Sequence, residues 1–125
     1  MNLRLLLLTL ASVALSATAQ IAFKLGAGRA TGGLGTASAF ATAVAMLTNY
    51  YVVAGLLLYG FSALLWLVVL ARQDLSVAYP FVGLGFVITS FAGAMLFNEP
   101  MTPMRLLGTA LVTLGVVLVG MSATK

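Results

Sequence analysis

Charge interrupts this chain at only eight points, and the gaps between them are as long as a bilayer is thick. Residues 5–23, 30–71, 75–98 and 106–124 carry no charged side chain. A membrane-spanning helix needs about 20 mostly apolar residues, so three of these stretches hold one span each. The longest stretch holds one span and a remainder. Composition agrees: 62% of the residues are hydrophobic and 6% are charged, where a soluble domain carries about 25% charge. Eight charges cannot solvate the surface of a 125-residue globule, and this much apolar mass excludes a disordered chain. In hydrocarbon only a helix or a closed barrel satisfies its own backbone. Stretches such as LRLLLLTL and LLWLVVL lack the alternation of a barrel strand. The sequence therefore predicts an all-α integral membrane protein. It reads as a single four-helix transmembrane domain over 1–125, with spans at about 4–24, 49–71, 75–97 and 104–122.

The connections differ. Arg72-Gln73-Asp74-Leu75 joins the second span to the third, and Asn98-Glu99-Pro100-Met101-Thr102-Pro103 joins the third to the fourth. Both are short enough to make neighbouring helices antiparallel. Pro103 suits a first helical turn, where a missing N–H costs nothing. The first connection is longer. Gly26, Gly28, Gly32, Gly33 and Gly35 read as a flexible turn at its start. In the segment that follows, Phe40, Val44 and Leu47 share a helical face, while Thr36 and Ser38 lie elsewhere. This segment, about 37–48, is either a short interfacial helix or an extension of the second span. Arg4, the run LLLLTLASVAL and Ala17-Thr18-Ala19 imitate a secretory signal. The apolar run continues through Ile21-Ala22-Phe23, so the segment is read as a retained first span.

Four spans place Arg4, Arg72 and Lys125 on one side and Lys24, Arg29 and Arg105 on the other. The even split gives no orientation by the positive-inside rule. It is either the noise of a small count or the mark of a chain that inserts both ways and pairs antiparallel with itself.

The missing residues narrow the chemistry. With no His and no Cys, Ser-His-Asp catalysis and thiolate or imidazole metal sites are excluded, and with Asp74 and Glu99 as the sole acids paired-carboxylate hydrolysis is nearly so. No cofactor is implied, and an enzyme is not expected. Six scattered Lys and Arg make no patch for nucleic acid. The chain has no phosphate-binding Gly-Lys-Ser/Thr loop, so it does not itself use ATP. Both acids fall in links, which argues against proton-coupled export of cations, a process that uses a carboxylate within the membrane.

Polar side chains nonetheless enter the spans. Ser12, Ser16, Gln20 and Lys24 recur every four residues, extended by Thr9, and form a slowly wrapping stripe on the first span. Ser and Thr can bond back to their own helix, so Gln20 is the stronger signal. Lys24 either anchors the helix at the interface or places a cation at the mouth of a polar cavity. On the second span Tyr59, Ser62 and Trp66 share a face, deeper than the interfacial Tyr50 and Tyr51. They line a cavity or bond a neighbouring helix. The third span shows Ser76, Tyr79, Gly83, Phe86, Ser90 and Gly93 as a row for packing. Pro80, Gly83 and Gly85 make a bend there that serves either as a hinge or for packing alone. On the fourth span Gly108, Gly115 and Ser122 lie seven apart, a spacing suited to close helix contact in a dimer.

Together these features resemble the small multidrug resistance type within the drug/metabolite transporter (EamA-like) superfamily. Two stretches narrow the resemblance. Ser76-Val77-Ala78-Tyr79-Pro80 with Leu84-Gly85-Phe86-Val87, and Glu99-Pro100-Met101-Thr102-Pro103 with Gly108 and Gly115, are similar to the third and fourth helices of the small subunits of the aminoarabinose–undecaprenyl-phosphate flippase. Ser16, Gln20 and Lys24 match that group's spacing in the first helix. The second span matches loosely, and residues 26–48 depart from the pattern. Where drug-exporting members carry a mid-helix glutamate, this chain has Ser16.

The resemblance implies a multi-pass protein of the bacterial inner membrane that flips an anionic, polyprenyl-phosphate-linked sugar. A dimer is expected, either a heterodimer with a paralogous small subunit, as the resemblance implies, or a homodimer, for which the evenly split charges allow an antiparallel arrangement. Ser16, Gln20, Tyr59, Trp66, Tyr79 and Ser90 would line the groove, and Lys24 and Arg105 would hold the phosphate. Glu99 would pair with either cation and release it. The alternatives are a small-molecule or drug exporter of the same fold, and a non-transporting membrane subunit of a larger complex.

Overall fold

Four of the helices begin where a polar side chain takes over backbone donors that the first turn leaves free. In the computed structural model, which describes residues 2–32 and 38–122, Asn2 accepts from the Leu5 N–H at 2.9 Å and opens α1, Leu3–Thr31. Ser38 caps α2, Ala39–Leu47. Asn49 accepts from the Tyr51 and Val52 N–H groups and opens α3, Tyr50–Arg72. The third span starts as α4, Leu75–Ala78, tightens into a 3₁₀ turn at Tyr79–Phe81 and resumes as α5, Val82–Leu96. The last helix is α6, Pro103–Ser122. Thr102 accepts from the Arg105 N–H at 3.2 Å, so Pro103 stands in the first turn, as the sequence predicts. The described residues contain no strand. Four helices are long and apolar enough to cross a membrane, counting Leu75–Leu96 as one. The protein is an all-α integral membrane protein with several spans.

The first link differs from the sequence expectation. Gly26 and Gly28 do not open a turn; α1 runs through both to Thr31. Twenty-nine residues make a helix about 43 Å long, against about 30 Å of hydrocarbon. Its last two turns therefore stand beyond the apolar run. The helix continues because Gly26 is buried against the start of α3 and gains packing there. A Cβ on Gly26 would sit 2.6 Å from both Asn49 Oδ1 and Val52 Cγ2. The segment before α3 is a helix of its own, not an extension, because the chain breaks at Thr48 and Asn49 recaps it. Gly33, Gly35, Thr36 and Lys125 lie outside the described residues.

α1 is the hub. It packs most extensively on α3, then on α5, and also touches α2. The α1–α3 contact is antiparallel and built from small residues seven apart on each helix. Ser12, Ala19 and Gly26 face Ser62, Gly55 and the N-terminal turn of α3. A Cβ on Gly55 would lie 2.8 Å from the Phe23 ring and 3.1 Å from the Ala19 carbonyl. Close backbone approach of this kind drives helix association where lipid removes the hydrophobic drive. Ser12 also donates across the contact to the Ser62 carbonyl at 2.9 Å. α6 packs mainly on α5 and the Tyr79–Phe81 turn, and most of its apolar side chains are exposed.

The row expected along the third span does not form one packing face. Gly83 faces α6, where a Cβ would lie 2.9 Å from Val112. Gly85 faces Val13 of α1, Gly93 is buried under Glu99, and Tyr79 and Phe86 are exposed. The broken geometry at Tyr79–Phe81 follows from Pro80, which lacks an N–H and cannot continue the α ladder.

Candidate functional site

Three cavities meet at Thr89 on α5. The first, about 380 Å³, lies between α1, α3 and the third span. Ser12, Ser16 and Gln20 come from α1, Tyr59, Ser62 and Trp66 from α3, and Tyr79, Gly85, Phe86 and Thr89 from the third span. Both faces read as polar from the sequence thus meet on one cavity. Their hydroxyls are not equivalent. Thr9 donates to the Leu5 carbonyl and Ser16 to the Val13 carbonyl, each within its own helix, whereas Ser12 reaches across to α3. The amide of Gln20, the hydroxyls of Tyr59 and Tyr79 and the indole N–H of Trp66 bond no other described residue. Four polar tips therefore remain free for a ligand or water. The cavity is not enclosed, and Tyr59 and Tyr79 in its wall are exposed.

The third cavity, about 170 Å³, continues from the first through Gln20 and Thr89 to Lys24, Phe97 and Glu99. Lys24 Nζ stands 3.5 Å from Glu99 Oε1 and 6.0 Å from the centre of the Phe97 ring. Lys24 stands at the end of the apolar run and lines this cavity. Arg29, one turn further, lies over the Tyr51 ring at 4.7 Å, a cation–π contact outside the cavity.

The second cavity, about 370 Å³, is on the other flank of α5, against α6. Ser90, Glu99, Arg105, Gly108 and Thr109 line it. The structure therefore separates Ser90 and Arg105 from the groove they were expected to share with Gln20 and Tyr59. Arg105 Nη1 donates to the Pro100 carbonyl at 2.6 Å, and Glu99 pairs with Lys24. Among the described residues, nothing beyond their own helix backbone and chain neighbours lies within 4 Å of a would-be Cβ at Gly108 or Gly115, and Ser122 is exposed.

The residue that sequence reasoning missed is Thr89. It lines all three cavities and donates only to its own helix, to the Phe86 carbonyl at 3.1 Å. The signal was present. From Phe86 a step of four reaches Ser90 and a step of three reaches Thr89, and both steps are allowed on one helical face. The break at Tyr79–Phe81 sets the rotation of α5 that selects Thr89.

Fold and site together define a small multi-span membrane protein with a polar groove that leads to a cation at its end. Comparison with known proteins gives more particular relatives. Over 64 residues the chain is 44% identical to the probable 4-amino-4-deoxy-L-arabinose-phosphoundecaprenol flippase subunit ArnE of Pseudomonas savastanoi pv. phaseolicola, covering 51% of this chain and 56% of the relative. The protein of the same name from Serratia proteamaculans is 42% identical over 66 residues, 53% of this chain and 57% of the relative. That of Proteus mirabilis is 29% identical over 82 residues, 66% and 73%. The resemblance to the small flippase subunits therefore holds over about half of the chain. The chain spans little more than half the length of most of the curated relatives it matches. No family model matches it, and no solved structure does.

Proposed function

We propose that this protein is a subunit of a flippase that carries a polyprenyl-phosphate-linked sugar across the bacterial inner membrane. One observation carries the proposal. Free polar tips on Gln20, Tyr59, Trp66 and Tyr79 face one open cavity that runs on to Lys24. A charged group at the bilayer centre costs at least about 2.5–3.5 kcal/mol. A headgroup crossing there needs hydrogen-bond partners to replace water, together with a cation for its phosphate. The groove supplies the first and Lys24 the second. The polyprenyl tail stays in lipid, beside the open flank at Tyr59 and Tyr79. Arg105, on the α6 side of α5, then serves the second cavity and not the same phosphate.

The names of the relatives, each a flippase subunit, support transport in place of catalysis and a partner chain. The partner is a second copy, parallel or antiparallel, or a paralogous small subunit. The exposed Gly108, Gly115 and Ser122 row on α6 is its contact face. Lipids fill the remaining apolar surface, and α2 lies at the interface.

The test is translocation of a labelled polyprenyl-phosphate sugar in liposomes, with the chain alone and with a co-expressed small subunit. Lys24→Ala is expected to cut the rate about tenfold or more, the scale of losing a charged hydrogen-bond partner. Unchanged transport in Lys24→Ala removes the phosphate role, and absence of transport in both preparations removes the flippase.

A further inference from the structure

Glu99 is placed by its backbone, not by chance contact with a lysine. Asn98 adopts the left-handed conformation, φ 52°, the one residue with an L side chain to do so among those described. That reversal brings the Glu99 N–H back to the Gly93 carbonyl at 3.1 Å. It also lays the carboxylate on the surface of α5 at Gly93, where a Cβ would meet Oε2 at 2.5 Å. Asparagine tolerates this conformation and glycine leaves the seat open. The carboxylate is thereby aimed at Lys24, across the gap between α1 and the α5–α6 link.

We infer that Glu99 is the resident counter-ion of Lys24, and that an anionic phosphate headgroup enters by displacing it. This rests on the headgroup role of Lys24 proposed above. Three observations support exchange. The two side chains are 62% and 44% exposed, so their pairing is weak and reversible. The pair walls the cavity that continues from the groove, so an arriving phosphate meets a like charge unless the carboxylate moves. Glu99 also lines the second cavity, which holds Arg105. A guanidinium has five donors, and the Pro100 carbonyl takes one from Nη1, so Arg105 can receive the displaced carboxylate. The same acid that keeps the lysine paired in the empty groove thus lowers affinity for the ligand.

The prediction runs opposite to that for an ordinary binding residue. Calorimetric titration of the full chain in nanodiscs, with farnesyl phosphate and separately with inorganic phosphate, tests it. Glu99→Gln is expected to bind about two- to fivefold more tightly than the native chain, the worth of an exposed ion pair. Gly93→Ala, which keeps the acid but fills its seat, is expected to shift affinity the same way. Lys24→Gln is expected to lose binding, and adding Glu99→Gln to it is expected to change nothing. Tightening with inorganic phosphate as well supports a site for the phosphate group itself. Tightening confined to farnesyl phosphate supports a lipid-borne phosphate. Equal or weaker binding in Glu99→Gln, with binding still lost in Lys24→Gln, overturns the exchange and leaves the headgroup role standing. Native binding by Lys24→Gln, or no binding by any variant, overturns both.

Discussion

Two rows of small residues seven apart occupy opposite fates in this protein. Ser12, Ala19 and Gly26 on α1 are buried against α3, with Gly55 and Ser62 closing the contact. Gly108, Gly115 and Ser122 on α6 have the same spacing and face outward, and the large side chains around them, Leu111, Leu114 and Leu118, are exposed. The spacing marks where backbones can approach. It does not say whether the partner belongs to the same chain. What distinguishes the rows is the second helix: α3 carries complementary glycine and serine and α1 a serine that can donate across, while among the described residues no other helix comes within 4 Å of a Cβ at Gly108 or Gly115.

The largest expected effect breaks the inner row. Gly55→Leu would force a branched side chain into the Phe23 ring and the Ala19 carbonyl. Overpacking of this kind costs about 1–3 kcal/mol or more. Thermal unfolding in detergent is expected to show a marked drop in Tm and poor recovery of folded protein. A native-like Tm would mean that α1 and α3 do not meet as described.

A smaller effect sharpens the same contact. Ser12→Ala removes the hydrogen bond to the Ser62 carbonyl while leaving packing nearly intact. Interhelical hydrogen bonds in membranes average about 0.6 kcal/mol and reach about 1.7. Denaturant titration is expected to place the variant within that range below the native chain. A loss beyond it would point to a polar network larger than one bond.

The smallest effect on stability belongs to the outer row. A Cβ at Gly115 meets nothing within 4 Å, so Gly115→Leu is expected to change the stability of the isolated chain by less than about 0.5 kcal/mol. Cross-linking in membranes is expected to show weaker association if α6 is the subunit contact. Unchanged association would move that contact elsewhere on the exposed surface.

Much of this was legible before folding. Uncharged stretches of bilayer length specified four spans, and Pro103 and Pro80 marked a helix start and a break. The spacings of Ser12, Ser16 and Gln20 and of Tyr59, Ser62 and Trp66 identified two polar faces, since helical period alone sets which residues share a face. The glycines after Lys24 misled. Gly26 reads as a turn signal because glycine disfavours helix, yet packing against Asn49 and Val52 outweighs that local cost of about 1 kcal/mol. Thr89 and Ser90 could not be told apart by spacing, because the choice depends on how the Tyr79–Phe81 turn rotates α5.

Sequence by itself determined the solvent, the number of spans and the polar character of two helix faces. Those follow from local quantities: charge placement, hydropathy and helical period. Only the tertiary structure decided that the two faces meet on one cavity, that Glu99 pairs with Lys24, and that Arg105 turns to the other flank of α5. The reason is that a helix fixes which of its residues point together, while the rotation of one helix against another is set by contacts between residues far apart in the chain. In this protein those contacts are the small-residue α1–α3 seam, whose spacing does not name its partner helix, and the reversal at Asn98, which lies in a link outside any helical period.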